Sequence, residues 1–313
     1  MKHILLLTFF LLSGSTLFAF GQKDFARRES ELRTAIQRVA QVCNGDTLRI
    51  AAQHVTNDCD TALRMALNRS FAALLEETLR QDSAFLYPFD SIPYLYRAAS
   101  PNGLVRTFTW NVPLPDGNRY FGFVLTRKTK ADVAATLTTL HDKRLPTRLV
   151  EGKELGAHEW FGALYTTVVE RTLPYSKATA YTLIGISPTG GEAQSSKKVV
   201  EVLNVKPNGE CTFGAPIFAR KGKLSYRIIF EYNAQAIMEL RYVEKTKMIV
   251  FSNLVPMYPQ LRGRYERYIP SESYDGLIFK QGKWLLEEAV RPPSTIRLRK
   301  RGKVDKETGR WVR

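Results

Sequence analysis

The chain has 313 residues and carries 46 Lys and Arg against 30 Asp and Glu, a formal net charge of +16. Its 44% of hydrophobic residues is enough for a sizeable core, which excludes a natively unfolded or fibrous chain and leaves one large or two modest domains. The excess charge bears on anionic partners rather than on fold.

The chain opens Met1-Lys2-His3, followed by an apolar run at 4–12 that thins out through residues 13–16 and ends at Phe20. Ala19 and Gly21 occupy the small-residue positions of a cleavage site before Gln22, so residues 1–21 read as a secretory signal removed from the mature chain. An uncleaved anchor is the alternative, but a spanning helix needs about 20 apolar residues and this run is diluted too early. An exported chain meets an oxidising compartment, and Cys43 and Cys59 are close enough in sequence to be the natural disulfide. Closing that loop stabilises by roughly 3 kcal/mol in the chain-entropy view. Cys211 then reads as a buried small apolar residue of a strand.

Residues 22–90 have a helical period. Phe25, Leu32, Ile36, Val39 and Val42 form one stripe, Asn44-Gly45-Asp46 breaks it, and a short helix is expected over 47–55. Leu63, Leu67, Phe71, Leu74, Leu75 and Leu79 mark a further helix with Asp60 as its N-cap, a stripe that suits packing against the next domain.

Residues 91–290 change to a period of two. A strand is expected at 92–97, on an edge because of Pro93, and strands at 104–112 and 119–128 flank the Pro115-Asp116-Gly117 hairpin signal. Val133, Leu137 and Leu140 predict a helix over 129–141, and residues 160–170 read as a strand rich in strand-formers. The organising stretch is 181–254, where runs at 181–187, 197–205, 226–232, 236–242 and 248–254 alternate as an antiparallel meander. Residues 256–273 are Tyr-, Arg- and Pro-rich and read as an irregular loop, and 277–290 as a last hairpin turning at Gln281-Gly282. Residues 291–313 hold nine Lys or Arg against Asp305 and Glu307, a net of +7, and read as a disordered basic tail.

The usual carriers of catalysis are sparse. Beyond the signal lie His54, His141 and His158, none in a metal-ligand spacing, and there is no Cys-x-x-Cys, nucleophile elbow or phosphate loop, so no metal and no cofactor are expected. The surface candidate is the irregular loop: Tyr258, Tyr265, Tyr268 and Tyr274 offer rings, while Arg262, Arg264 and Arg267 offer forks for anions. Such composition suits a sugar, a peptide or a phosphate group, and equally suits a loop pinned to the sheet by its own tyrosines. The basic tail suits peripheral contact with an anionic membrane surface, at about 1 kcal/mol per cation. Nucleic acid is not an expected partner of an exported chain.

The motifs Tyr181-Thr-Leu-Ile-Gly, Lys198-Val-Val-Glu-Val-Leu, Phe213-Gly-Ala-Pro-Ile-Phe, Arg227-Ile-Ile-Phe-Glu-Tyr, Met248-Ile-Val-Phe and Ser273-Tyr-Asp-Gly together resemble a family of uncharacterised exported proteins of Bacteroidota. The likeness covers residues 104–290 and implies export and a β-rich domain; the family carries no assigned activity, so it supplies no catalytic residues. The sequence thus predicts an α+β protein: a small N-terminal helical region, an antiparallel β-meander curled towards a barrel or sandwich, and a disordered basic C-terminal tail. The functional expectation is a non-enzymatic envelope protein, periplasmic or associated with the outer membrane, that binds an anionic or glycan partner or an envelope assembly. The alternative is a secreted hydrolase with carboxylate catalysis, whose acids the sequence does not select.

Overall fold

A computed structural model describes residues 4–42, 60–174, 178–190, 195–220 and 222–291, with backbone alone at 4–20 and 148. The Cys43–Cys59 pairing, the helix expected at 47–55 and the basic tail from Pro292 lie outside the described residues. Helix α1 (Ile4–Gln41) buries Phe25, Leu32, Ile36 and Val39, the expected stripe, and packs on α2 (Thr61–Leu79). Asp60 caps α2 by accepting from the Leu63 N–H at 2.8 Å. The buried face of α2 is most of the expected stripe: Phe71, Leu75 and Leu79 are buried and Leu67 and Leu74 partly buried, whereas Leu63 is exposed and Arg64, Asn68 and Thr78 turn inward as well. The polar members are held by hydrogen bonds, Thr78 through its hydroxyl to the Leu74 carbonyl at 2.7 Å. Arg64 donates to the Val39 and Pro113 carbonyls, and Asn68 Oδ1 accepts from Trp110 Nε1 at 2.8 Å. No described helix is long and apolar enough to cross a membrane.

The helices cover a four-stranded antiparallel sheet, β1 (Tyr96–Ala99), β2 (Val105–Leu114), β3 (Gly117–Thr126) and β4 (Thr136–His141), in that order. Leu114 pairs with Gly117 across Pro115-Asp116, and Gly117 takes a φ of +113°, so the hairpin signal is realised as read. The edge strand begins later than expected, because residues 92–95 turn to bury Ile92 and Leu95 in the core beneath the helices. The helix expected over 129–141 is a turn followed by β4. Thr129 and Asp132 do form the side-chain contacts of a helix start, at 2.8 and 2.9 Å, but they close only one turn. From Thr136 the β-branched threonines pair with β3 instead, sending Leu137 towards the helices and Leu140 to the opposite face.

A four-residue helix α3 (Thr147–Val150) leads to the middle sheet: β5 (Leu155–Gly156), β6 (Leu164–Thr172), β7 (Thr179–Ile186), β8 (Ser195–Val205) and β9 (Cys211–Phe213). Trp160 belongs to the lead-in and not to the strand expected at 160–170, which starts at Leu164. Cys211, the one cysteine among the described residues, is unpaired and buried in β9 as expected. The chain then leaves through β10 (Phe218–Arg220) and β11 (Lys223–Ser225), returns as β12 (Arg227–Asn233) to pair with β8, and departs into β13 (Leu240–Val243), β14 (Met248–Pro256), β15 (Tyr268–Lys280) and β16 (Lys283–Val290). The stretch at 181–254 is therefore shared between two sheets and is not one meander. The outer sheet has the order β11-β10-β16-β15-β14-β13, with a parallel ladder between β10 and β16. No pairing that would close either sheet into a barrel is present among the described residues.

Alternation assigns each sheet face to its neighbour. Tyr181, Leu183, Val199 and Leu203 pack towards the first sheet, while Ala180, Ile184, Val200 and Val202 pack with Phe218, Ile249, Leu277 and Trp284 of the outer sheet. Trp284 Nε1 donates to Thr182 Oγ1 at 3.0 Å across this interface. The run expected at 236–242 pairs only from Leu240, and Ile237 is 89% exposed, since a turn from Asn233 to Ala236 swings that part off the sheet. The expected last hairpin is present, Lys280 facing Lys283 across Gln281-Gly282.

A fully buried ion pair sits between the first and middle sheets. Glu201 of β8 and Arg227 of β12 are directly opposite and both completely inaccessible, with Arg227 Nε at 2.8 Å from Glu201 Oε2. Removing one partner strands the other charge, so Arg227→Met should cost about 3–5 kcal/mol in urea unfolding. The double variant Arg227→Met with Glu201→Leu should cost clearly less than the two single losses combined. A single-variant cost below about 1 kcal/mol would show that the pair is dispensable.

Candidate functional site

A cleft of about 350 Å³ lies where the outer edge of β12 faces the outer sheet. Ile229, Phe230 and Glu231 supply one wall, Phe251, Ser252, Asn253 and Leu254 of β14 the other. Tyr265 and Tyr268 stand over one end, and Thr147, Glu151, Arg220 and Asp275 complete the lining. Two irregularities open it. The β14–β15 register slips between Ser252 and Leu254, and the β15–β16 register slips between Tyr274 and Gly276, placing Asn253 and Asp275 at bulges.

Four of the polar side chains are held by hydrogen bonds. Glu231 lies opposite Lys197, 3.9 Å away, and accepts from Ser195 Oγ at 2.7 Å. Asp275 Oδ1 accepts from the Ala289 N–H at 3.0 Å, and Ser252 Oγ from the Glu239 N–H at 3.0 Å. Glu151 Oε1 accepts from the outward N–H of Ile229 at 3.1 Å. Burial raises the Glu151 carboxyl above the ordinary value, outweighing that hydrogen bond and the nearby Arg220 and Arg227. The Arg220 guanidinium lies 5.9 Å from the Phe230 ring centre.

The predicted Tyr/Arg segment is shorter and more ordered than its composition indicates. Residues from Tyr268 onward are strand, paired from Pro256↔Tyr268, so the loop spans only 257–267 and is tied by Met257 N–H to the Arg267 carbonyl at 3.0 Å. Alternation there is masked by Pro270 and by polar residues on both faces. Of the seven candidates, Tyr265 and Tyr268 reach the cleft, their ring centres 5.1 Å apart, and the Tyr268 hydroxyl accepts from the Gly263 N–H at 3.0 Å. Tyr258, Arg262 and Arg264 are exposed outside it, Arg264 paired with Glu266 at 2.9 Å. Neither Arg267, in the short turn Tyr265–Arg267, nor Tyr274, opposite Val290, lines it. The sequence reading missed Glu151, Arg220, Glu231, Asn253 and Asp275, which come from five separate elements and share no spacing.

His141 and His158 also meet away from the cleft lining, stacked with ring centres 5.1 Å apart. Among the described residues no cluster of three or more His, Cys, Asp or Glu is set to hold a metal. Neither a protein-family model, nor a curated protein, nor a solved structure matches the chain.

The His141 ring has its pKa lowered by burial first, then by His158 and Lys143. A depressed histidine stabilises above its unfolded value and loses that contribution as pH falls through the folded one. Unfolding free energy should therefore drop below about pH 6.5, and His141→Gln should flatten that part of the curve. An identical pH profile for the variant would refute the assignment.

Proposed function

We propose that the chain is a non-enzymatic, exported envelope protein whose cleft binds a glycan. The observation that carries this reading is the pairing of Tyr265 and Tyr268 with side chains that accept and donate hydrogen bonds in one groove. Sugar rings present C–H faces that lie on aromatic rings, and hydroxyls that both donate to carboxylates and accept from arginine and amide N–H groups. The groove offers Glu231 and Asp275 as acceptors, Arg220 as donor and Asn253 as both, around an apolar floor of Phe230 and Phe251. Three carboxylates against one arginine weigh against an anion in the cleft itself, so of the two expected ligand classes the neutral glycan is favoured. An anionic envelope surface remains a partner for the basic tail. Export rests on the signal-like start and on the resemblance of the strand motifs.

A carboxylate hydrolase is the second reading, and the raised Glu151 carboxyl favours it, since a general acid needs a proton near neutral pH. Its Oε1 is already engaged by Ile229, however, which suits a strut better than a proton donor. Release of reducing ends from envelope glycans would revive the enzyme.

The test is glycan binding by purified protein. Tyr265→Ala and Asp275→Asn should each weaken binding about 10- to 100-fold, the loss of roughly 1.4–3 kcal/mol of contact. Tyr265 is 48% exposed, so its variant should melt as the parent does. Unchanged affinity in both would exclude the cleft.

Glu151→Gln separates stability from binding. A carboxyl raised in the folded state stabilises fully below its unfolded value and loses that contribution as pH rises through the folded value. The amide still accepts from Ile229, so the variant should melt at or above the parent at pH 7 and equal it near pH 3. A lower melting point at pH 7 would show that the ionised carboxylate is needed.

A further inference from the structure

The hairpin of β14 and β15 outruns both of its neighbours. The β13–β14 ladder stops at Phe251 and the β15–β16 ladder begins at Tyr274, so residues 252–273 project as a two-stranded arm. Alternation gives this arm two faces. Leu254 and Tyr268 turn inward and line the cleft, with Pro256 and Pro270 as their ladder partners. Val255, directly opposite Ile269, takes the other face, and Met257 follows two residues on. The arm is seated from its inner side, where Asn233 Nδ2 donates to the Glu266 carbonyl at 3.2 Å.

The outward face is apolar and uncovered: Val255 is 38%, Met257 42% and Tyr258 62% exposed. An apolar cluster at a projecting tip marks an interaction surface. Charge identifies the partner. From Ser252 to Ser271 the chain holds Arg262, Arg264 and Arg267 against Glu266 alone. Glu266 is taken up by Arg264 at 2.9 Å, whereas the exposed Arg262 guanidinium has no ion pair among the described residues. Gly263, between the two arginines, has nothing within 4 Å of where a Cβ would stand, so the end of the arm is unobstructed. Methionine and tyrosine beside arginine suit the boundary layer of an anionic bilayer. The apolar parts enter among the headgroups, the tyrosine hydroxyl stays at the wet edge, and the guanidinium fork holds a lipid phosphate. We propose that the tip of this arm docks on an anionic lipid surface, with Val255, Met257 and Tyr258 inserted and Arg262 on phosphate. This surface lies on the far face of the arm from the cleft and does not rest on the glycan reading.

The test is sedimentation of the full chain with vesicles of phosphatidylcholine containing about 30% phosphatidylglycerol. Salt of about 0.3 M screens exposed charges beyond about 6 Å and so suppresses a purely ionic contact by the basic C-terminal residues. The parent should bind, M257S/Y258S about tenfold more weakly, and R262Q about threefold more weakly. All three positions are exposed, so both variants should melt as the parent does. Y258W should shift its emission to the blue on vesicles and be quenched by brominated lipid, against a parent whose Trp110, Trp160 and Trp284 are buried. Equal binding by the parent and M257S/Y258S, or Y258W emission that vesicles leave unchanged, would each overturn the docking. A dimer that M257S/Y258S dissolves and vesicles do not displace would also overturn it, since the face would then belong to a second copy. Vesicle binding through the arm in a protein that binds no glycan supports the docking and counts against the glycan reading alone.

Discussion

Glu201 and Arg227 occupy a closely spaced pair of the β8–β12 ladder, on the face turned towards the first sheet, and neither has access to water. Desolvating two such charges costs several kcal/mol each unless every donor and acceptor is matched. Matching is what fixes the surrounding chain. Arg227 also donates to the carbonyls of Val150, Lys153 and Phe213, and Glu201 accepts from the Tyr165 hydroxyl, which itself accepts from Trp160 Nε1 at 2.7 Å. Burial, and then the Glu201 carboxylate, pushes the Tyr165 hydroxyl far above its usual pKa, so it remains a donor. Gly214 is required here: it has a φ of +98°, and a Cβ would stand 2.8 Å from Arg227 Nη2. One arginine thus registers α3, β9 and β12 around the middle sheet. The pairing of β12 with β8 in turn exposes the edge on which the cleft is built.

Much of this fold was legible as period and punctuation. The β2–β3 hairpin, α2 with its cap, the strands near 181–205, 227–233 and 248–256, and the last hairpin are each set by local chemistry that a short window contains. What failed was governed by partners far away. Residues 136–141 hold leucines at a spacing a helix would also accept, and only the waiting edge of β3 decides for strand. In α2 the inward row includes Arg64, which donates to the Pro113 carbonyl, and Asn68, whose Oδ1 accepts from Trp110, contacts absent from any hydrophobic pattern. The allocation of consecutive strands to two different sheets depends likewise on the outer sheet being completed by β15 and β16.

The site was less legible than the fold. Composition pointed to the loop that borders the cleft and to Tyr265 and Tyr268, because clustered tyrosines next to turn residues stand out in a sequence. The acids did not stand out: among 30 acidic residues, Glu151, Glu231 and Asp275 have no mutual spacing and are gathered only by a bulge, a short helix and an edge strand. Of the arginines that drew attention, Arg262 and Arg264 are exposed and Arg267 is half-buried outside the cleft, whereas Arg220, which lines the groove, sits in a three-residue strand with no signal of its own.

The parallel ladder between β10 and β16 has a consequence for the order in which the molecule assembles. Phe218 finds its partner in Trp284, and Trp284 also reaches back to Thr182 and, through its N–H, to the Ile217 carbonyl. The core between the middle and outer sheets therefore waits on residues near the end of the chain. For a polypeptide that emerges N-terminus first, this hydrophobic layer stays open until almost all of the chain is available. Contacts so remote along the sequence make closure slow. A chain built this way seals that layer only when its final strands arrive.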